Sequence, residues 1–488
     1  MTSATSHPIH RWRAFSLLAV AAFMTVMDLT IVNTALPTIG RKLHFSQTSL
    51  LWVITAYELA YGGFLLLGGR AADLLGRRRV IIAGLALFTG ASLGASLAST
   101  EAVLIAMRAT QGLGAAMFLP AALSTVRNMF AEGAERNKAL GIWGALAALG
   151  ATAGLVFGGL LTRFAGWQYV FWLNVPVGVA ALLLIRRVVP ETWSESARRR
   201  YDPLGAVTVT GALLLLAYAI AQAPRVGWGA GRTIGELALG VALLGAFLMI
   251  ERRGEAPLMP LRIFRLQTLA GANAVGFLLG ASFYAFIFIG TLYMQQVLGY
   301  SALQGGFAWA ATGVASMLFA GISQMLVTKI SAKLVMAFGM TVLAGGIFWT
   351  AQAPVHGRYL GDLLGPFLLG VGMGTAFTFI PIQIAALAGV AEREAGLASG
   401  LIYTSQELGG ALGIAIASSI AASHTATLVR GGETLRVALT GGFHSALWVC
   451  GAIALLAIPV TFLLIRNDEM AAAVAATSLR EPQPEPAT

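Results

Sequence analysis

The chain has 488 residues, 57% of them hydrophobic and only 11% charged, whereas soluble domains carry about 25% charged residues. That balance excludes a soluble globular protein and indicates a chain that crosses a membrane many times. Its 32 basic against 21 acidic residues give a net charge of +11. Four of the basic residues are Lys, and most Arg fall in short stretches between apolar runs, so the surplus reads as topogenic charge held on the cytoplasmic side. No nucleic-acid partner is expected.

The single cysteine, Cys450, lies in an apolar run, which excludes an internal disulfide and a cysteine metal site. The six His have no metal-ligand spacing, and no Lys follows a Gly, so a phosphate-cradling GxxxxGK[ST] loop is absent. No nucleophile–base pair is visible either. The sequence therefore predicts a non-enzyme with no metal and no cofactor.

The N-terminal HRWR precedes an apolar run over 14–36. This order imitates a signal peptide, but the run is long enough to span and no small-residue cleavage site ends it. Further runs follow at about 50–69, 80–98, 102–124, 138–162 and 167–186. After a polar, Arg-rich stretch come runs at 203–222 and 234–251, and then six more at about 268–297, 305–328, 333–351, 360–386, 395–422 and 443–465. The expected fold is an all-α polytopic membrane protein of fourteen spans with both termini cytoplasmic. Its expected parts are a cytoplasmic terminus (1–13), a six-helix bundle (14–186), a cytoplasmic linker (187–202), two additional helices (203–251), a second linker (252–267), a second six-helix bundle (268–466) and a disordered cytoplasmic tail (467–488).

The two bundles repeat each other weakly. Ala134-Glu135-Arg136 opens the fifth span and Ala391-Glu392-Arg393 the thirteenth; Gly112-Leu113-Gly114 with Pro120 is echoed by Gly372-Met373-Gly374 with Pro381. Parallel six-helix repeats build transporters with a central site between two rocking halves.

Between the second and third spans stands Gly69-x-x-x-Asp73-x-x-Gly76-Arg77-Arg78. Arginines there fix orientation, and an Asp beside them can bond an Arg or a helix N-terminus and so latch two elements together. This stretch resembles the signature loop of the major facilitator superfamily, with Ala71 where Leu is common and Leu74 where a basic residue is common. The resemblance implies two six-helix bundles plus two extra central helices, and a conformational gate made by Gly69, Asp73, Gly76, Arg77 and Arg78. Asp73→Ala is expected to slow turnover and leave substrate affinity nearly intact.

Span 4 carries Arg108, Gln111, Gly112 and Gly114-Ala115-Ala116. An Arg inside a membrane helix must face a partner or water, and Gln111 shares its face. The pattern resembles the span-4 motif of proton-driven members of the superfamily. Span 5 carries Gly141, Gly150, Gly154, Gly158 and Gly159, a small-residue face suited to close packing. It resembles the motif of drug:proton antiporters, with Leu155 where that motif has Pro. Span 1 reads Met27-Asp28-Leu29-Thr30-Ile31-Val32-Asn33-Thr34-Ala35-Leu36-Pro37 and resembles the first helix of the fourteen-span drug:proton antiporter branch.

Asp28, Glu58 and Glu407 are acids within spans, which makes each a functional-site candidate by default. With Arg108 they form the candidate proton-coupling set, and the primary proton acceptor among the three is open. Asn33 lies on a different face from Asp28 and is expected to bond another helix. The candidate substrate cavity consists of Asn33, Tyr57, Gln111, Phe283, Tyr284, Tyr293, Gln296 and Tyr403, since large deformable apolar contacts suit a broad-substrate pocket. The resemblance implies a monomeric exporter of hydrophobic, cationic drugs or metabolites in the cell membrane, with protons, small-molecule substrate and lipid as its partners and the proton gradient as its drive. The alternative within transport is a proton-coupled uptake symporter or a facilitator for a small organic solute.

Overall fold

A computed structural model describes residues 8–50, 52–130, 134–189, 191, 203–254, 263, 265–390 and 395–466. The described residues form fourteen long helical rods and no strand. A bilayer explains this, because in hydrocarbon every backbone N–H and C=O must be satisfied internally. The rods are α1 (Pro8–Lys42), α2 (Trp52–Leu75), α3 (Arg77–Ser96), α4 (Glu101–Met129), α5 (Ala134–Phe164) and α6 (Tyr169–Val188). An inserted pair follows, α7 (Pro203–Val226) and α8 (Gly231–Arg253). The second half is α9 (Gln267–Val297), α10 (Ala302–Lys329), α11 (Ala332–Thr350), α12 (Tyr359–Leu387), α13 (Ala395–Arg430) and α14 (Leu435–Leu464). Among the described residues eleven helices are long and apolar enough to cross a membrane, and the full set of rods is consistent with the fourteen expected spans.

Local chemistry sets several ends. Thr100 caps α4 by accepting from the Val103 N–H, and Ser301 with Gln304 forms a reciprocal capping box on α10. Gly76 has φ 98° and turns the chain between α2 and α3, a backbone shape that glycine adopts at no steric cost. The first helix starts at Pro8, inside the stretch expected to be the cytoplasmic terminus. Proline is pre-shaped for a first turn, and the basic residues after it extend the helix beyond the apolar run. Most of the two linkers and all of 467–488 lie outside the described residues.

Short connections make successive rods antiparallel, so one face of the bundle carries the α2–α3 turn and the ends of α6, α8 and α14. We call this the basic face, after Arg77, Arg78, Arg79, Arg186, Arg187, Arg252, Arg253 and Arg466; the other is the distal face. In the first half α1 packs on α5 and α2 on α4, and in the second α9 packs on α13 and α10 on α12. The pairings are equivalent under the six-helix repeat. Two seams join the halves, α5 against α10 and α2 against α13, and the same repeat relates them.

The halves meet in the distal part. Gln295 Nε2 on α9 donates to the Thr34 carbonyl on α1 at 2.9 Å. One apolar cluster runs from Ile31 and Leu36 through Val53 and Ile54 into Phe286, Tyr293 and Trp309, whereas Leu18, Leu65, Val80, Phe88 and Ala121 form a separate cluster within the first half.

Candidate functional site

The sequence places a carboxylate in α1 and a guanidinium in α4, and the packing of the first half brings them into contact. Arg108 Nη1 donates to Asp28 Oδ2 at 2.5 Å, with both side chains at or below 1% exposed. Buried ionised groups need hydrogen bonds around them, and among the described residues Arg108 Nη2 and Asn174 Oδ1 of this nest lack one. Asp28 Oδ1 accepts from Asn174 Nδ2 on α6 at 2.6 Å and from Gln111 Nε2 at 3.3 Å. Gln111 Nε2 also donates to Ser92 Oγ on α3 at 2.7 Å, and its Oε1 accepts from Arg108 Nη1 at 3.1 Å. Arg108 Nε donates to the Val53 carbonyl at 2.8 Å, and the guanidinium sits 4.3 Å from the Tyr57 ring centroid, within cation–π range. Five helices of one half thus converge on a single carboxylate.

The glycines of α5 bring α1 close enough for this nest. A methyl on Gly154 would lie 2.5 Å from the Met27 carbonyl, and one on Gly150 would lie 3.1 Å from that of Phe23; Gly158 rests on the Ile31 backbone. Gly159 faces the other half, where a methyl would meet the Ala302 carbonyl at 2.5 Å. Gly141 lies in α5 with its surroundings outside the described side chains. α5 runs unbroken through Leu155, whose carbonyl lies against Gly306 of α10. The fifth helix is therefore both the support of Asp28 and one of the two seams.

Comparison with known proteins fits this architecture. The sequence model of the Major Facilitator Superfamily matches residues 18–414. The chain belongs to that superfamily. The transporter is 38% identical over 431 residues to the cephamycin export protein CmcT of Amycolatopsis lactamdurans, covering 87% of this chain and 88% of that one. It is 35% identical over 485 residues to the puromycin resistance protein pur8 of Streptomyces alboniger, covering 97% and 95%. A bacterial homologue of the human lysosomal transporter Spinster, crystallised in an inward-facing, occupied conformation, superposes with a TM-score of 0.66 at 14% identity over 95% of this chain and 98% of that one; at that identity the likeness concerns the fold.

In the transporter the signature loop makes its described contacts inside the first half. The Arg78 backbone N–H donates to Glu191 Oε1 at 3.1 Å, its Nε lies 3.4 Å from Glu191 Oε2, and its Nη1 donates to the Val189 carbonyl. Arg77 is buried, with its guanidinium against the Asn128 amide of α4. Gly69 packs near Pro120 of α4. The Asp73 side chain lies outside the described residues.

Of the eight expected cavity residues, Tyr57, Tyr284 and Tyr403 face Glu407, while Asn33 and Tyr293 are held by other partners. Tyr57 and Gln111 belong to the Asp28 nest. Asn33 donates to the carbonyls of Leu29 and Thr30 in its own helix, where another helix was the expected partner; a side chain that reaches back three or four residues satisfies its donors locally. The Tyr284 hydroxyl donates to Glu407 Oε1 at 3.3 Å, and Phe283 meets Phe379 edge-on. The Tyr293 hydroxyl donates to the Pro354 carbonyl at 2.7 Å, which ties α9 to the distal loop after α11. Gln296 is half-buried beside Gln295, and it is Gln295 that bridges the halves. Tyr403 is exposed. Glu58 and Glu407 are buried and come from opposite sides of the α2–α13 seam. Sequence reasoning missed Ser92 and Asn174, whose only signal is a polar residue in an apolar run.

Proposed function

We propose that the protein exports hydrophobic, cationic drugs or metabolites across the cell membrane by exchange for protons, with Asp28 as the primary proton acceptor. The buried Asp28–Arg108 pair carries this reading. Asn174, Gln111 and Arg108 all donate to the carboxylate, and a proton arriving on Asp28 replaces the ion pair with a neutral acid beside a buried, uncompensated guanidinium. That arrangement is unfavourable unless the helices rearrange, so protonation biases one conformer over the other. The free energy is adequate: each charge crossing the membrane is worth about 2.3 kcal/mol per 100 mV.

Direction and substrate class rest on the relatives, whose names describe cephamycin export and puromycin resistance. The basic face is then cytoplasmic, both termini lie inside, and the distal-closed arrangement corresponds to an inward-facing state in a protein that works as a monomer. Neither a metal nor an organic cofactor has a part in this cycle. In proteoliposomes with a pH gradient imposed in either direction, substrate is expected to move against the proton flow. Movement with the protons would establish the symport alternative and overturn exchange.

A further inference from the structure

Glu58 on α2 and Glu407 on α13 come from opposite halves and are 3% and 4% exposed. Their carboxyl groups are near enough to act on each other electrostatically. Glu407 Oε1 accepts from the Tyr284 hydroxyl. One oxygen of each acid, Oε2, meets no hydrogen-bond donor among the described residues. A buried polar atom left unmatched is rare enough to require an explanation. The groups that face this pair are Tyr57 and Tyr61 from α2, Tyr284 from α9, Tyr403 from α13 and Arg108 from α4. Arg108, the one cation among them, is held by Asp28 through Nη1 and by the Val53 carbonyl through Nε, and its Nη2 bonds neither acid.

The seam around the acids is closed on two sides. One turn along α2 from Glu58, Gly62 lets α13 approach, since a methyl there would stand 3.3 Å from Glu407 Cβ. On the outside the inserted helix α7 covers the joint. Thr210 Oγ1 donates to the Gly63 carbonyl at 2.8 Å, Leu214 packs with Leu59 and Ala411, and Tyr218 lies 5.7 Å from Trp52, ring to ring. Two ionised carboxylates in such a place repel each other with no counter-ion of their own. One proton between them removes a charge and supplies the donor that the unmatched Oε2 atoms lack.

We infer that Glu58 and Glu407 form a one-proton joint between the halves: a single proton is shared by the two carboxyl groups while the α2–α13 seam is closed, and is released when the seam opens. On opening, one O–H bond breaks, the proton passes to water entering the seam, and two separate carboxylates remain. The joint is distinct from Asp28, which lies wholly within the first half, and it assigns α7 the role of an outer wall. It rests on the transport reading only in requiring that the seam open and close.

Infrared spectroscopy of the substrate-free protein in lipid nanodiscs at neutral pH tests the joint directly. The wild type is expected to show the carbonyl stretch of a protonated glutamate. Glu58→Gln and Glu407→Gln are each expected to abolish it, because the remaining carboxylate then takes an N–H from the amide and needs no proton. The band is expected to persist in Asp28→Asn, so failure of Asp28 as the coupling residue and failure of the joint are read separately. A wild type without the band, or a band that survives either glutamine substitution, would overturn the proposal. Should a glutamine variant fail to fold, isotope-labelled glutamate in the wild type must shift the band; an unshifted band places the proton elsewhere and also overturns it.

Discussion

Asn174 on α6 donates to Asp28 on α1 at 2.6 Å, and this bond connects the last helix of the first half to its central carboxylate. Together with Arg108 it gives both Asp28 oxygens a short donor. A hydrogen bond to an ionised group is worth about 1.5–3 kcal/mol and a neutral one about 1 kcal/mol. Asn174→Ala is therefore expected to lower the thermal unfolding temperature clearly more than Ser92→Ala, which loses only neutral bonds, to Gln111, Asn174 and the Phe88 carbonyl. Equal losses in detergent-purified protein would show that Asn174 does not support a charged Asp28.

Gly154 and Gly90 offer a contrast between two helix-interior glycines. A methyl on Gly154 runs into the Met27 carbonyl, whereas one on Gly90 meets nothing within 4 Å. Overpacking costs about 1–3 kcal/mol, and alanine gains about 0.5–1 kcal/mol over glycine in an unobstructed helix. Gly154→Ala should destabilise and Gly90→Ala should not, as read by thermal unfolding of the two variants side by side.

The α5–α10 seam depends on Gly159 against Ala302 and Gly306 against Leu155. Gly159→Val is expected to wedge the distal face open while the interior of each half stays intact. Distances between spin labels on the distal ends of α5 and α10 should lengthen relative to wild type. Unchanged distances would mean that the seam tolerates the bulk and does not control closure.

Arg78 and Glu191 form a partly exposed pair, 31% and 17% accessible. Pairs of this kind contribute about 0–1 kcal/mol. Glu191→Gln should therefore leave unfolding nearly unchanged and weaken only the anchoring of the signature loop to the end of α6. A large loss of stability would show that the pair does more than hold the loop.

Much of this arrangement was legible from residue chemistry alone. Asp28 and Arg108 stand out because ionised groups within apolar runs are costly, and Gln111 because it lies on the same helical face as Arg108. Ser92 and Asn174 do not stand out, since a hydroxyl or an amide in a membrane helix is commonly satisfied by its own backbone, as Asn33 is here. The glycines of α5 were readable as a close-packing face. That Gly150, Gly154 and Gly158 meet α1 while Gly159 meets the other half depends on the helix's rotation, which spacing does not define. Glu58 and Glu407 are far apart in sequence, and only the joining of the halves makes them neighbours. Of the aromatic residues assigned to one cavity, Tyr57, Tyr284 and Tyr403 face Glu407 and Tyr293 is tied to the distal loop after α11: composition shows that a side chain is large and deformable, but not which direction it faces.

The account stands or falls on Asp28. In everted membrane vesicles energised by a proton gradient, Asp28→Asn, which keeps the shape of the side chain and removes its charge and titration, is expected to abolish proton-driven substrate accumulation in protein that remains folded. Proton-driven accumulation at the wild-type level in that variant would contradict the assignment.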